Sequence, residues 1–596
     1  MSKKEIPEIL TIPGLRNGYE TGSFTPRDVV KSVIERSAAL AEKHIFITLP
    51  SMELIGPHLA ELPPIDFKKY PLWGIPFAIK DNIDLAGAET TAACPAYAYQ
   101  PEESATVVKK LLAAGAIPIG KTNLDQFATG LVGTRSPYGE VENAYVPERI
   151  SGGSSSGSAV SVACGLAAFA LGTDTAGSGR VPAMLNAIVG WKPALGAWST
   201  KGVVPACASL DCVTVFAHTL GEAETVDSIA RGYDAACRWS RPLVRKAAAL
   251  PKKILLPADG LQFFGQTAQV MERKWQRAAE RLETLGIPVE SISIDIFEHA
   301  AKLLYEGAFV AERWADLGAF VEANPGAIFP VTETILRTGG KALYTAAKLF
   351  DDMHALALDR HRAAELLEDA VLALPTAGGT FTRAEVDDDP VRTNSLMGLY
   401  TNHCNLLDLA AIAVPEDAGD HEDPFGITLF ALHENEHLAD GVARAFLSAG
   451  GAGRACDGAC CKGGIGMNEA KKNAGGAGFA RIEIMMGMKK LTPLLKKLST
   501  AGITGVTVFQ ALGCGIQHGS YEYAPEESTE IQLLPKTCLL IICEREAVSD
   551  LVELLKLELY TGHIGDGKIF VSGIDNIIRI RTGEEGEDAL RRSDVG

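Results

Sequence analysis

The sequence predicts an α/β architecture, helices layered on a sheet, followed by a smaller ferredoxin-like α+β unit. Three observations carry that expectation. Apolar strand-like runs alternate with capped, amphipathic helical segments over the first 450 or so residues. A stretch rich in Gly and Ala, 450–480, then breaks the pattern. Beyond it the order reads strand, helix, strand, strand, helix, strand, the ferredoxin-like arrangement. At 596 residues the chain is too long for one ordinary domain, and with 47% apolar residues it can bury sizeable cores. The boundaries expected are 1–449, a linker 450–480, and 481–596.

In order, Thr25-Pro26-Arg27-Asp28 is a helix start: a hydroxyl cap, proline at the first position, and an acid in the first turn. Val29, Val30, Val33, Ile34 and Leu40 give that helix its apolar face. Leu72 to Asp84 reads as a strand and turn carrying Lys80. Ser104 to Gly115 reads as a capped helix, with the next strand at Ala116 to Ile119. The polar, glycine-rich loops 121–125 and 130–139 follow, where a substrate would enter. An amphipathic helix runs from Ala268 to Leu285, with a strand through Ile294. The first domain closes with a strand over 424–432 and a helix ending around Leu447.

The chemistry concentrates between Ser151 and Arg180, SGGSSSGSAVSVACGLAAFALGTDTAGSGR. Two serine-bearing, glycine-flanked turns are joined by a run of small residues. Glycines beside a serine let the backbone fold tightly and leave the hydroxyl open to a ligand. Consecutive N–H groups in such a turn can converge on one oxygen, as an oxyanion hole requires. Gly/Ser turns are more often only turns, and a lysine at a strand end, as in Pro76-Phe77-Ala78-Ile79-Lys80, is ordinarily a solvated charge. A phosphate-binding loop lacks support, because GSGR has no Lys-Ser/Thr where a P-loop needs it.

Taken together, GGSSSG…GTDTAGSGRVPA and the lysine of PFAIKDN resemble the amidase signature family. The resemblance implies a mixed sheet covered by helices and a Ser–Ser–Lys mechanism. In it Ser178 is the nucleophile, Ser154 the bridging serine on a cis peptide, and Lys80 the base. The oxyanion hole would be the N–H groups of Thr175, Ala176, Gly177 and Ser178. A free lysine titrates near ~10.4 and must be held neutral to take a proton, which burial beside hydroxyls achieves. An acyl-enzyme on Ser178 would form and be released by water, with no metal and no catalytic cofactor.

The blocks TNLDQFATGLVGTRSPYG (122–139), STKGVVPACASLDCVTVFA (199–217) and YTNHCNLLDLAAIAVP (400–415) are similar to the allophanate hydrolases of that family. They are less similar to the amidase subunit that converts Glu-tRNA. In LLYEGAFVAERWADL, Tyr305 and Arg313 match the tyrosine and arginine that hold substrate there, and Gly130 matches a backbone contact. Allophanate is a small planar amide bearing a carboxylate, which a guanidinium grips bidentately. The plainer alternative is an i, i+8 pair facing outward from one long helix.

The linker carries Cys456, Cys460 and Cys461, whose spacing is a weak metal or redox pattern; the other cysteines, such as Cys94, Cys164 and Cys543, read as reduced, buried small residues. From 481 to 591 the chain resembles PII nitrogen-signalling proteins, with strands at 482–486, 506–511 and 530–542 and helices at 491–498 and 547–559. Lys568 after Gly565-Asp-Gly567, with Arg579 and Arg581 alternating to one face, forms a polyphosphate cradle. By resemblance these residues bind ATP or ADP between subunits of a trimer. Gly515, Gln517 and Lys536 match positions that hold 2-oxoglutarate with Mg-ATP. Thr529 stands where some PII proteins have a uridylylated tyrosine.

The formal charge of −18 argues against a broad nucleic-acid or acidic-membrane surface. Met1-Ser2-Lys3-Lys4 leads into no apolar signal core, so a soluble cytoplasmic protein is expected. Expected partners are the small amide, adenine nucleotides, further copies of the chain as PII-type trimer or amidase dimer, and a urea carboxylase. Three other readings stay open: another short carboxylated amide as substrate, an idle amidase serving as a nitrogen-status adaptor, and one subunit of a tRNA amidotransferase.

Overall fold

The structure, a computed structural model, describes residues 6–417, 419, 421–450, 479–486, 491–500, 506–513, 534–544, 547–559, 568–574 and 577. The chain divides into two compact units, Met1–Gly463 and Gly464–Gly596.

The first unit is built on one eleven-stranded sheet. Its strands are Phe46–Thr48 (β1), Pro76–Lys80 (β2), Ile117–Thr122 (β3), Phe169–Asp174 (β4), Val189–Lys192 (β5), Cys212–Ala217 (β6), Lys253–Pro257 (β7), Val289–Ile292 (β8), Ala370–Pro375 (β9), Leu409–Pro415 (β10) and Gly426–Leu432 (β11). They lie in the order β1-β3-β2-β4-β6-β5-β10-β11-β9-β7-β8. β2 runs parallel to both β3 and β4, and β7 to both β8 and β9, while the remaining pairs are antiparallel. The sheet is therefore mixed. Its central strands are buried along their whole length, as runs such as Ala-Val-Leu-Ala-Leu-Pro in β9 require of strands with both faces covered.

Local signals place the helices. The helix Pro26–Ala39 opens on a reciprocal cap: the Thr25 hydroxyl accepts from the Asp28 N–H, and the Asp28 carboxylate accepts from the Thr25 N–H. β2 begins at Pro76 rather than Leu72, because Gly74 takes a left-handed turn (φ 73°) just before it. The helix Ser156–Ala163 has no solvent face. A Cβ on Gly157 would stand 2.2 Å from the Ile45 carbonyl oxygen, so only glycine lets this helix lie so close to the backbone beside it. Cys94, Cys164 and Cys543 are buried. No helix among the described residues is long and apolar enough to cross a membrane.

The second unit has four described strands, Phe479–Met486 (β12), Val506–Gly513 (β13), Leu534–Glu544 (β14) and Lys568–Ile574 (β15), in the order β13-β14-β12-β15, all antiparallel. Ile482, Ile484, Leu539 and Ile541 from the sheet bury against Leu494 and Leu498 of the helix Leu491–Thr500 and Leu551 and Leu555 of the helix Val548–Leu559. This is the ferredoxin-like βαββαβ arrangement.

Candidate active site

β2 and β4 are parallel neighbours, so their C-terminal ends open at the same edge of the sheet, where ligands of α/β sheets commonly sit. Ile79 pairs with Leu171, which carries Lys80 at the end of β2 towards Thr173 near the end of β4. Lys80 Nζ donates to Ser154 Oγ at 2.8 Å and to Thr173 Oγ1 at 2.7 Å. All three side chains are buried. Both partners are hydroxyls, and among the described residues no carboxylate lies within ion-pairing distance of Lys80. Burial pushes its amine down to about 7; the more distant Asp125, Asp211 and Asp174 oppose the shift without cancelling it. The Gly153–Ser154 peptide bond is cis.

Ser178 is buried on the turn that follows β4. Asp174 shapes that turn from within: its carboxylate accepts from the Gly177 N–H at 2.9 Å and the Gly179 N–H at 3.0 Å, and the Arg180 guanidinium grips it in two places, Nε at 2.9 Å and Nη2 at 3.0 Å. Burial would raise this carboxyl, but Arg180 and the amides outweigh it and hold the group below its ordinary range. Arg180 Nη2 also reaches the Thr401 carbonyl at 3.2 Å. A Cβ on Gly177 (φ 132°) would meet Thr401 Oγ1 at 2.3 Å, so this position needs glycine for both conformation and space.

The expectation of four oxyanion donors narrows here. The Gly177 N–H is spent on Asp174, whereas those of Thr175, Ala176 and Ser178 donate to no described residue. Thr175 donates its hydroxyl to Asp211, which also accepts from the Ala206 N–H at 2.8 Å and the Cys207 N–H at 3.1 Å. Burial pushes the Asp211 carboxyl up to about 6 against those hydrogen bonds.

A second group of residues closes on the loop after β3. Asp125 accepts from the N–H groups of Val132, Gly133 and Arg135 at 3.0 to 3.1 Å, which bends the loop around one carboxylate. Gly130 faces the same carboxylate, and a Cβ there would stand 2.5 Å from Asp125 Oδ2. Tyr305 and Arg313 do not share one long helix. The chain breaks at Gly307 between the helices Asp295–Glu306 and Val310–Ala323, and the break folds Arg313 inward. Its guanidinium is 1% exposed, lies 5.3 Å from the centre of the Tyr305 ring, and donates from Nη1 to Thr129 Oγ1 at 3.2 Å.

Lys80, Ser154, Ser178 and the residues 175–177 thus belong to one edge of the sheet, and Gly130, Tyr305 and Arg313 are linked through Thr129. Sequence reasoning missed Thr173, Asp211, Asp125, Thr129 and Arg135. Thr173 was within reach, two residues ahead of Thr175 in GTDTAGSGR, since strand alternation puts it on one face. Of the expected nucleotide and 2-oxoglutarate residues, Gly515, Gln517, Gly565, Gly567, Arg579 and Arg581 lie outside the described residues. Lys536 and Lys568 are described as backbone in β14 and β15. The cluster Cys456, Cys460 and Cys461 and the position Thr529 also lie outside the described residues. Among those described, no group of three or more His, Cys, Asp or Glu side chains could hold a metal.

Two family models match the chain, Amidase over residues 28–439 and Nitrogen regulatory protein P-II over 479–584. The urea amidolyase of Saccharomyces cerevisiae is 44% identical over 372 residues, covering 60% of this chain but 20% of that protein; the chain thus spans about a fifth of its length. One subunit of the glutamyl-tRNA(Gln) amidotransferase of Alkaliphilus metalliredigens is 30% identical over 466 residues, 72% of this chain and 94% of that protein. Among solved structures, the allophanate hydrolase of Kluyveromyces lactis superposes with a TM-score of 0.70 at 31% identity, over 91% of each chain.

Proposed function

Because the chain belongs to the amidase family, we propose that it is an amidohydrolase that cleaves allophanate through Lys80, Ser154 and Ser178. The observation that carries the catalytic part is a buried lysine whose close partners are hydroxyls alone. An amine held near neutrality can take a proton at physiological pH, which an ordinary lysine cannot. Lys80 takes the proton of Ser154 as Ser154 takes that of Ser178, and the freed Ser178 Oγ attacks the amide carbon. The developing oxyanion meets the N–H groups of Thr175, Ala176 and Ser178. The proton returns along the same hydroxyls to the leaving nitrogen, ammonia departs, and water repeats the sequence on the acyl-enzyme.

The choice of allophanate rests on Arg313. A buried guanidinium without a carboxylate partner suits an anionic substrate, and the Tyr305 ring beneath it suits a planar one. Attack at the carbonyl bearing the free NH2 would expel ammonia and leave the carboxylate end against Arg313 and the Gly130 backbone. The carboxylated product then decays to ammonia and carbon dioxide. The relative in Saccharomyces cerevisiae is called urea amidolyase, which agrees with a urea carboxylase as the source of substrate.

The second unit, matched by the P-II model, would report ATP, ADP and, with Mg2+, 2-oxoglutarate. Gly515, Gln517, Gly565, Gly567, Lys568, Arg579 and Arg581 would hold the nucleotide, and Gln517 with Lys536 the 2-oxoglutarate. This part of the reading extends to assembly, since a PII-type trimer and an amidase dimer would together set the oligomer.

The test is ammonia release from allophanate by the purified chain, with Ser178→Ala beside it and with and without ATP and 2-oxoglutarate. Turnover by the single chain that Ser178→Ala abolishes supports the enzyme and excludes the tRNA amidotransferase reading, which needs partners. Undiminished turnover in Ser178→Ala overturns the mechanism, and absence of any turnover on short carboxylated amides leaves the adaptor reading. Nucleotide titration of Lys568→Ala checks the second unit: equal affinity to wild type removes the cradle.

A further inference from the structure

Arg313 is not alone. Arg135, on the loop after β3, is likewise 1% exposed. Its guanidinium donates from Nη1 to the Thr129 carbonyl at 3.0 Å and from Nη2 to the Pro390 carbonyl at 2.6 Å. Neither arginine makes an ion pair with any carboxylate among the described residues, and the Nε of each is buried without a hydrogen-bond partner. The contrast with Arg180 is plain, because there a buried guanidinium is matched by Asp174 at 2.9 Å. Asp125 offsets part of the burial cost of Arg135 from beyond ion-pairing distance, while its oxygens accept from the loop amides.

Thr129 joins the two cations. Its carbonyl accepts from Arg135 and its hydroxyl from Arg313, and the next residue is Gly130. The far side of the same loop is tied down by the Leu131 N–H donating to Asn394 Oδ1 at 2.8 Å. A buried charge lacking a counter-ion is strongly unfavourable. Two guanidinium groups on one residue, neither ion-paired among the described residues, favour a ligand that brings its own negative charge.

We propose that Arg135 is a specificity-determining positioning residue: its buried guanidinium, bonded to two carbonyls rather than to a carboxylate, fixes Thr129 and Gly130 and adds a second positive charge behind Arg313, so that the site selects carboxylated amides over neutral ones. This rests on the reading of Arg313 as the carboxylate-binding residue. A loop arginine with a purely structural role would affect all substrates equally; this one acts on the difference between them.

The experiment compares kcat/KM for malonamate and for malonamide, an anionic and a neutral amide of the same size, in wild type, Arg135→Gln, Arg135→Lys and Arg313→Gln. Arg135→Gln is expected to lower the malonamate-to-malonamide ratio by at least about tenfold, mainly through KM for malonamate. Arg135→Lys, which keeps the charge but cannot span both carbonyls, should hold the ratio within about threefold of wild type even where both rates fall. Equal losses on both substrates in Arg135→Gln, or no loss, overturn the proposal. If Arg135→Gln does not fold, Arg135→Lys carries the test, and a collapsed ratio there overturns it. Arg313→Gln separates the two levels: an unchanged ratio in that variant overturns the carboxylate pocket itself, whereas a collapsed one leaves it standing whatever Arg135 shows.

Discussion

Two buried lysines stand on neighbouring parallel strands, Lys80 at the end of β2 and Lys121 in β3, with Ile79 paired to Lys121. Lys121 meets Asp81 at 3.1 Å, the Glu89 carbonyl at 3.1 Å and Thr90 Oγ1 at 3.0 Å. Lys80 meets two hydroxyls. The same side chain, equally buried on adjacent strands, is ion-paired to a carboxylate in one place and, in the other, is held by hydroxyls alone and pushed down to about 7. What separates them is whether a carboxylate stands within contact distance. Asp81 follows Lys80 directly in sequence, yet strand alternation sends it towards Lys121 instead.

The largest effect expected from breaking this contrast is at Lys80. Lys80→Met should cost about 10⁴-fold or more in kcat, as the loss of the base does in serine hydrolases. It should not lower the apparent melting temperature at pH 7. The sign follows from the downward shift: below about 7 the fold bears the full penalty of a charged, desolvated amine. That penalty fades as pH rises towards the ordinary lysine value, so the substitution removes a cost that neutral pH still imposes. A melting temperature well below wild type at pH 7 would contradict it.

Next in size, Lys121→Met should destabilise the first unit by about 3–5 kcal/mol, because it leaves Asp81 buried and unpaired. Denaturant unfolding of the two variants side by side reads the comparison directly. If Lys80→Met proves the more destabilised of the two, the distinction between base and structural cation fails.

The pH profile sharpens the same contrast. In wild type kcat/KM should rise with pH and level off above about 7, the region to which burial has moved Lys80. The smallest effect is expected from Thr173→Val, which removes one of the two hydroxyls that solvate Lys80. Turnover should fall by about tenfold and the rising limb should move to lower pH, since the charged amine loses an acceptor. A limb that stays in place would mean that Thr173 only packs.

Much of this was legible in the chain, for reasons that are local. The cap Thr25–Asp28, the glycine turns around Ser154 and Ser178, and the alternation of elements depend on residues a few positions apart. The ferredoxin-like order of the second unit is equally short-range. What the sequence hid is what the sheet brings together across long separations. Thr173 became a partner of Lys80 through the parallel register of β2 and β4. Asp211 reached Thr175 from across a strand pair. Arg135 and Arg313 met on Thr129 because the chain breaks at Gly307, where helical periodicity would have allowed one continuous helix. That the Gly177 N–H is already engaged was hidden for a related reason, since only the folded turn shows that Asp174 curls back onto it.

The clasp of Asp174 and Arg180 has a thermodynamic consequence. With four hydrogen bonds holding the turn that carries Ser178 in place, its amides need no ordering when a guest enters. A boronic acid imitating the tetrahedral adduct should therefore bind with a small entropic penalty, its calorimetric signature resembling a key in a rigid lock.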